Sequence, residues 1–241
     1  MNKPLASLFA KHKAVVLFDC ETTGTDPSKN QIIELAAVRI EQTGAGALRI
    51  AGKMDAFIRL PEGERIPEKI VELTGITDQT LEAEGVATYK AAGQFAKLLG
   101  DGPVLMVAHN AQFDLLFTRE LLRGQKVGRL AFLDTLTVYK DRRPYPHKLA
   151  NAIIGYDLTD KVQNSHRAID DVLALFEVLK SMDAERDDLA NYVNLFGYNP
   201  KYGVSGGRIS GVRYEAQSFI SAMTRPEQTL PARVARGGGG R

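Results

Sequence analysis

Four short stretches, far apart in the chain, carry acidic or imidazole side chains that could meet at one metal site. They are Asp19-Cys20-Glu21-Thr22-Thr23-Gly24, His109-Asn110-Ala111-Gln112-Phe113-Asp114, a lone Asp134 after an apolar run, and His166-Arg167-Ala168-Ile169-Asp170-Asp171. Several carboxylates with one histidine suit two-metal phosphodiester chemistry. Carboxylate oxygens hold hard divalent cations, and an imidazole that titrates near neutrality can take a proton from water.

The spacing within each stretch selects among these groups. Residues i and i+2 of a strand share a face, so Asp19 and Glu21 project together while Cys20 turns toward the core. Two neighbouring carboxylates repel each other unless a cation or a proton intervenes, and solvated edge charges are the competing reading. In a helix starting at Ala168, the apolar stripe is Ala168, Val172, Leu175 and Leu179. Asp171 lies at the edge of that stripe and Asp170 opposite it, so Asp171 is the inward-facing candidate and Asp170 a solvated charge. His166 is about 140° from Asp171 on an ideal helix. It can share a site with Asp171 only from the loop before the helix, where Asn164 and Ser165 are plausible caps. Asp114, in the first turn of a helix, and Asp134, ending a strand, both have structural explanations. For Asp134 the structural reading is preferred.

These groups need elements to position them. Ala14–Phe18 is a continuous apolar run expected of a strand buried on both faces. Further strands are expected at Ile32–Ile40 and Lys53–Leu60, across a turn at Thr43–Gly46, giving an antiparallel meander. Beyond it, helices are expected at Thr88–Leu99, Ala111–Leu122, Lys148–Ile154 and Ala168–Leu179, with strands at Val104–Ala108 and Leu130–Leu133. Three antiparallel strands followed by alternating helix and strand indicate an α/β fold with a mixed five-stranded sheet flanked by helices. The main domain is expected to span residues 1–197. An extension at 198–223, with a helix at Glu215–Met223, and a basic Gly/Arg tail at 224–241, read as disordered, complete the chain.

Composition sets looser bounds. The 241 residues are 44% hydrophobic and 25% charged, with a net charge of +2, ordinary for a globular protein. Residues 201–241 hold seven Lys/Arg against two Asp/Glu, leaving 24 basic and 27 acidic side chains in residues 1–200. A near-neutral body with a basic end suits a protein that touches nucleic acid at one site, or simply carries a solvated tail. The Gly/Tyr/Arg-rich segment Tyr198–Tyr214 is accordingly either an extension of a nucleic-acid groove or an ordinary surface loop. One cysteine excludes an intramolecular disulfide. The N-terminal apolar stretch is too short for a signal-peptide core or a membrane span, so a cytoplasmic protein without membrane association is expected.

The set Asp19-x-Glu21-Thr22-Thr23-Gly24, Asn110-Ala111-Gln112-Phe113-Asp114 and His166-x-Ala168-x-x-Asp171 resembles the three motifs of the DEDDh 3′–5′ exonucleases. That is the family of the proofreading (epsilon) subunits of bacterial DNA polymerase III. Leu73-Thr74-Gly75-Ile76-Thr77 is similar to the family's segment near a bound 3′ end, and the resemblance covers roughly residues 13–180. It implies a ribonuclease H-like fold and two Mg²⁺ or Mn²⁺ ions, held by Asp19, Glu21, Asp114 and Asp171, with His166 as proton acceptor. The all-oxygen donor set agrees with those ions rather than zinc. Thr22, Thr23, Gly24, Leu73, Thr74, Ile76, Asn110 and Phe113 become candidates for holding the terminal nucleotide, although Leu73, Ile76 and Phe113 could each be core. The implied activity is removal of nucleoside 5′-monophosphates from 3′ ends of single-stranded or frayed DNA, in proofreading or repair. Two alternatives stand beside it: an exoribonuclease, or a subunit docking on a polymerase or sliding clamp through Gln228-Thr229-Leu230-Pro231. Oligomeric state is left open.

Overall fold

The computed structural model describes residues 3–162 and 167–217. A one-turn helix α1 (Ala6–Phe9) leads into β1 (Ala14–Thr22), β2 (Ile32–Gln42) and β3 (Leu48–Phe57), followed by α2 (Glu68–Thr74) and α3 (Asp78–Glu84). The chain then alternates through α4 (Thr88–Leu99), β4 (Val104–Ala108), α5 (Ala111–Leu121), β5 (Leu130–Asp134), α6 (Thr135–Arg142), α7 (Leu149–Gly155) and α8 (Ala168–Glu185). A 3₁₀ turn at Leu189–Tyr192 precedes β6 (Leu195–Tyr198) and β7 (Arg213–Ala216). No helix among the described residues is long and apolar enough to cross a membrane.

The main sheet has the order β3-β2-β1-β4-β5. β1–β2 and β2–β3 are antiparallel, and β1–β4 and β4–β5 parallel, as the change of sequence texture predicts. β1 sits at the change of direction and is covered on both faces, which is why residues 14–18 are apolar without alternation. On one face Val15 and Leu17 pack with Val172, Leu175 and Leu179 of α8. On the other, Val16, Phe18 and Cys20 pack with Phe95 of α4 and Leu115 and Leu116 of α5. Each such fully buried side chain contributes about 1.5–3 kcal/mol.

The third strand differs from expectation, running Leu48–Phe57 rather than Lys53–Leu60. It is the sheet edge, and its first half is half-exposed. Backbone pairing with β2, resumed directly after the Thr43–Gly46 turn, sets its start (Gln42↔Leu48) irrespective of side-chain hydropathy. Ile58 leaves the strand to bridge Val86. The helix expected at Glu215–Met223 is likewise corrected. Glu215 and Ala216 end β7, which pairs parallel with β6, and residues 218–223 lie outside the described residues, as do Gln228–Pro231 and the rest of the tail. β6 runs across residue 197, and Phe196 and Ile209 join the core beside α5. Packing against the core therefore continues to Tyr214.

Asp134 ends β5 and holds three elements at once. Its Oδ1 accepts from the N–H groups of Asn110 (2.9 Å), Ala111 (3.1 Å) and Leu136 (3.1 Å), and its Oδ2 from Thr137 N (3.1 Å) and Thr137 Oγ1 (2.6 Å). One buried carboxylate thus caps both α5 and α6, the structural role preferred for it from sequence. Asp134→Ala leaves those donors without an acceptor. The expected loss is about 2–4 kcal/mol, read as a lower urea midpoint with an unchanged m-value.

Candidate active site

β4 accompanies β1 only as far as Leu17, whereas β2 pairs with it to Thr22. The last residues of β1 therefore expose one backbone edge, and those N–H groups need other acceptors. Asp114, in the first turn of α5, fills that need. Its Oδ1 accepts from Cys20 N (3.2 Å) and Cys20 Sγ (3.2 Å). Cys20 itself is buried in the core beneath, as its alternation with Asp19 and Glu21 predicts.

Asp19 and Glu21 share the opposite face of β1, toward α8. Carboxylate oxygens of Asp19, Glu21 and Asp171 all lie within 4.8 Å of one another. Asp171 is buried and Asp170 only half-buried, the distinction expected from the apolar stripe of α8. Asp114 stands beside this trio rather than in it, held by Cys20. The donor set is entirely oxygen, which fits a divalent cation such as Mg²⁺ or Mn²⁺. His166, Asn164 and Ser165 lie outside the described residues.

The electrostatics show what such a site costs without a cation. Burial, then the charges of Asp114, Glu21, Asp171 and Glu34, pushes the Asp19 carboxyl well above the usual carboxylate range. Burial and the charges of Asp171, Glu34 and Asp114 push Glu21 up to about 8, with Arg167 opposing. Burial raises Asp114 to about 7 against the lowering effect of its Cys20 donors.

Sequence reading overlooked two groups here, the further buried charge of Glu34 and the partial offset of Arg167. Glu34 lies directly across β2 from Glu21, a like-charge pairing that by itself destabilises a sheet. Glu34 is fully buried, and its Oε1 accepts from Arg167 Nε (3.0 Å) and Nη2 (2.9 Å). Its Oε2 accepts from Ala168 N (3.1 Å), so a strand side chain caps the helix that presents Asp171. The signal available in the sequence was a glutamate inside the apolar run Ile32–Ile40, where a buried charge calls for a partner.

The remaining candidates divide by exposure. Thr22 Oγ1 donates to Gly24 O (2.7 Å), and Thr23 exchanges hydrogen bonds with the backbone of Gln31. A Cβ at Gly24 would lie 2.7 Å from Asn30 Oδ1 and displace that side chain, which accepts from Asp26 N (3.0 Å). Leu73 is exposed (53%), whereas Ile76 (1%) packs with Ile33, Ile66 and Leu81. Thr74 is buried too, and its hydroxyl joins Ile70 O to Ile76 N across the end of α2. Ile76 and Thr74 thus build the turn that displays Leu73, and for Ile76 this is the core reading left open from sequence. Phe113 is half-buried and packs against Phe117 (5.1 Å between centroids). Asn110 is exposed, in the left-handed region (φ 72°), and its side chain caps no helix N–H.

Carboxyl groups raised by folding give a definite pH signature. Their unfolded values lie near 4, so between about pH 4 and pH 8 the metal-free folded chain binds more protons than the unfolded one. The stability linked to those protons is complete below about pH 4 and is lost as pH rises through 7 and 8. The melting temperature of metal-free protein is expected to fall from pH 5 to pH 8.5, and Mg²⁺ or Mn²⁺ to raise it most at the alkaline end. Calorimetry across that range with EDTA or metal checks this, and a flat metal-free profile contradicts it.

A model of the RNase_T family, described as Exonuclease, matches residues 16–179, from β1 into α8. PolC-type DNA polymerase III of Clostridium perfringens is 30% identical over 167 residues, 68% of this chain and 11% of the relative. That of Halalkalibacterium halodurans is 33% identical over 183 residues, 72% of this chain and 12% of the relative. The chain therefore spans about a tenth of the length of these curated relatives. Among solved structures, E. coli exonuclease I in complex with a dA16 oligonucleotide has a TM-score of 0.63 at 19% identity, over 75% of this chain and 42% of that one. A zinc-bound form of the E. coli enzyme with single-stranded DNA gives 0.61 at 21% identity, over 76% and 43%. These structures share the fold. With the family pattern covering the sheet, α5 and the part of α8 that bears Asp171, the chain belongs to the RNase_T exonucleases, and its fold is of the DEDDh 3′–5′ exonuclease type.

Proposed function

We propose that this protein is a divalent-metal-dependent 3′–5′ exonuclease that removes nucleoside 5′-monophosphates from single-stranded or frayed DNA, in proofreading or repair. The observation that carries the reading is the convergence of Asp19, Glu21 and Asp171 within 4.8 Å at an open strand end. DNA as substrate is supported by the relatives named as DNA polymerase III and by the fold neighbour crystallised with dA16. A DNA polymerase, with or without a sliding clamp, is the proposed partner.

In this reading Asp19, Glu21 and Asp171 hold two Mg²⁺ or Mn²⁺ ions, with Asp114 beside them. Such ions would supply Lewis-acid charge at the scissile phosphate and lower the pKa of the attacking water. His166, next to the anchored Arg167 in sequence, accepts the proton of the attacking water. Leu73 and the half-exposed ring of Phe113 contact the terminal base without reading its identity. The tight Thr22–Gly24 turn and Asn110 approach the sugar and phosphate.

The test is digestion of 5′-labelled single-stranded DNA and the matched RNA with Mg²⁺, Mn²⁺ or Zn²⁺, against EDTA. A ladder shortening from the 3′ end is expected with Mg²⁺ or Mn²⁺, and Asp19→Ala is expected to lower its rate on the order of 10³-fold or more. Faster loss of the RNA would change the substrate to RNA and keep the reaction. No digestion of either strand by folded protein would overturn the reading.

A further inference from the structure

Residues 199–211 lie beyond the region matched by the family, yet the first turn of α5, the turn that bears Asp114, fastens them to the matched core. Gln112, two residues before Asp114 and next to Phe113, donates from Nε2 to Ser205 O (2.7 Å) and Gly207 O (2.6 Å). Its Oε1 accepts from Tyr214 OH (2.7 Å), and that phenol oxygen accepts in turn from Ile209 N (2.9 Å). The loop is pressed close. A Cβ at Gly206 (φ +68°) would lie 2.3 Å from Leu116 Cδ1.

The loop's chemistry is unlike that of the body. No Asp or Glu occurs between Asp188 and Glu215. Arg213 is paired with Glu215 (3.2 Å), but Lys201 and Arg208 form no ion pair among the described residues. Arg208 lies over the Tyr214 ring (4.9 Å), so the tether from Gln112 also sets where that cation stands. Tyr202 is 74% exposed with Lys201 Nζ 5.2 Å from its ring centroid, a flat surface backed by a cation. Exposed aromatic and basic groups side by side are what a strand of unpaired nucleotides needs: stacking for bases, charge for phosphates. An acidic protein surface would use the charges and leave the ring idle.

We propose that the 199–211 loop is a second contact for single-stranded nucleic acid, with Tyr202 stacking on a base and Lys201 and Arg208 neutralising phosphates. The proposal rests on the exonuclease reading above. In that reading the 3′ terminus occupies the carboxylate site, so the loop meets nucleotides on its 5′ side. It takes longer strands and is out of reach of the shortest substrates.

The experiment compares KM for a single-stranded 16-mer with KM for the p-nitrophenyl ester of thymidine 5′-monophosphate, in the 241-residue chain with metal present. For Lys201→Ala/Arg208→Ala the ratio of the two KM values, oligonucleotide over ester, is expected to rise about 10-fold or more. The slope of log KM against log salt should become shallower by roughly 1.4, for two lost phosphate contacts. Tyr202→Ala is expected to raise the ratio about 5-fold or more with the salt slope kept. Lys90→Ala/Lys97→Ala, on α4, removes the same charge elsewhere and should change neither. Loop variants that match wild type in ratio and slope overturn the proposal. A wild type that hydrolyses neither substrate overturns the exonuclease reading instead.

Discussion

Mutual repulsion among carboxylates at the end of β1 is the constraint on which the rest of the site depends. Asp19, Glu21 and Asp171 are crowded within one cation's reach, with Asp114 and Glu34 close enough to raise the pKa of Asp19 further. A folded chain tolerates this because some of the charge is offset by fixed groups and the rest by protons. Arg167, held in place by Glu34, is the fixed offset, and it is a partial one. Replacing that buried pair by apolar groups could serve stability as well. It would not cap α8 at Ala168 N, however, and so would not hold the helix that presents Asp171. The protons are the movable offset, and the groups that hold them are the same oxygens a metal would take.

The sheet order explains why the crowding falls where it does. β1 has a parallel neighbour that stops at Leu17 and an antiparallel one that continues to Thr22. Only a strand outrunning one of its neighbours can carry two functional side chains past the core and still be anchored along its other edge. The cost is an unpaired backbone edge, and Asp114 covers part of it through Cys20. Asp114 therefore completes the β1 backbone, whatever it also does for a cation. That dual use explains why it sits beside the three-carboxylate cluster and not within it.

Much of this was legible in the chain itself. Alternation placed Asp19 and Glu21 on one face, and the stripe of α8 separated Asp171 from Asp170. The apolar runs located β1, β4, α4, α5 and the start of α8. What escaped shares a physical cause: it depends on partners distant in sequence. The start of β3 is set by pairing to β2, and the capping of α8 by a glutamate 134 residues away. The strand at 213–216 exists only because β6 lies beside it. Periodicity reports which face of an element is apolar and is silent on which backbone it meets.

The first turn of α5 concentrates these dependencies. Asn110 adopts a left-handed conformation (φ 72°) that an asparagine bears more readily than most residues, letting the chain pass from β4 into the helix within two residues. Its backbone and that of Ala111 are held by Asp134, Asp114 reaches forward to β1, and Gln112 reaches outward to the 199–211 loop. Three sets of hydrogen bonds thus converge on one turn of helix. Asp134 fixes the height of the helix, Cys20 its approach to the carboxylates, and the loop its outer wall. A displacement of α5 by a fraction of an ångström strains all three sets of bonds at once, so the helix end behaves as a rigid post between strand and loop. Rigidity of that kind is what separates a cluster of acidic residues from a site able to hold a phosphodiester at a fixed distance from its water.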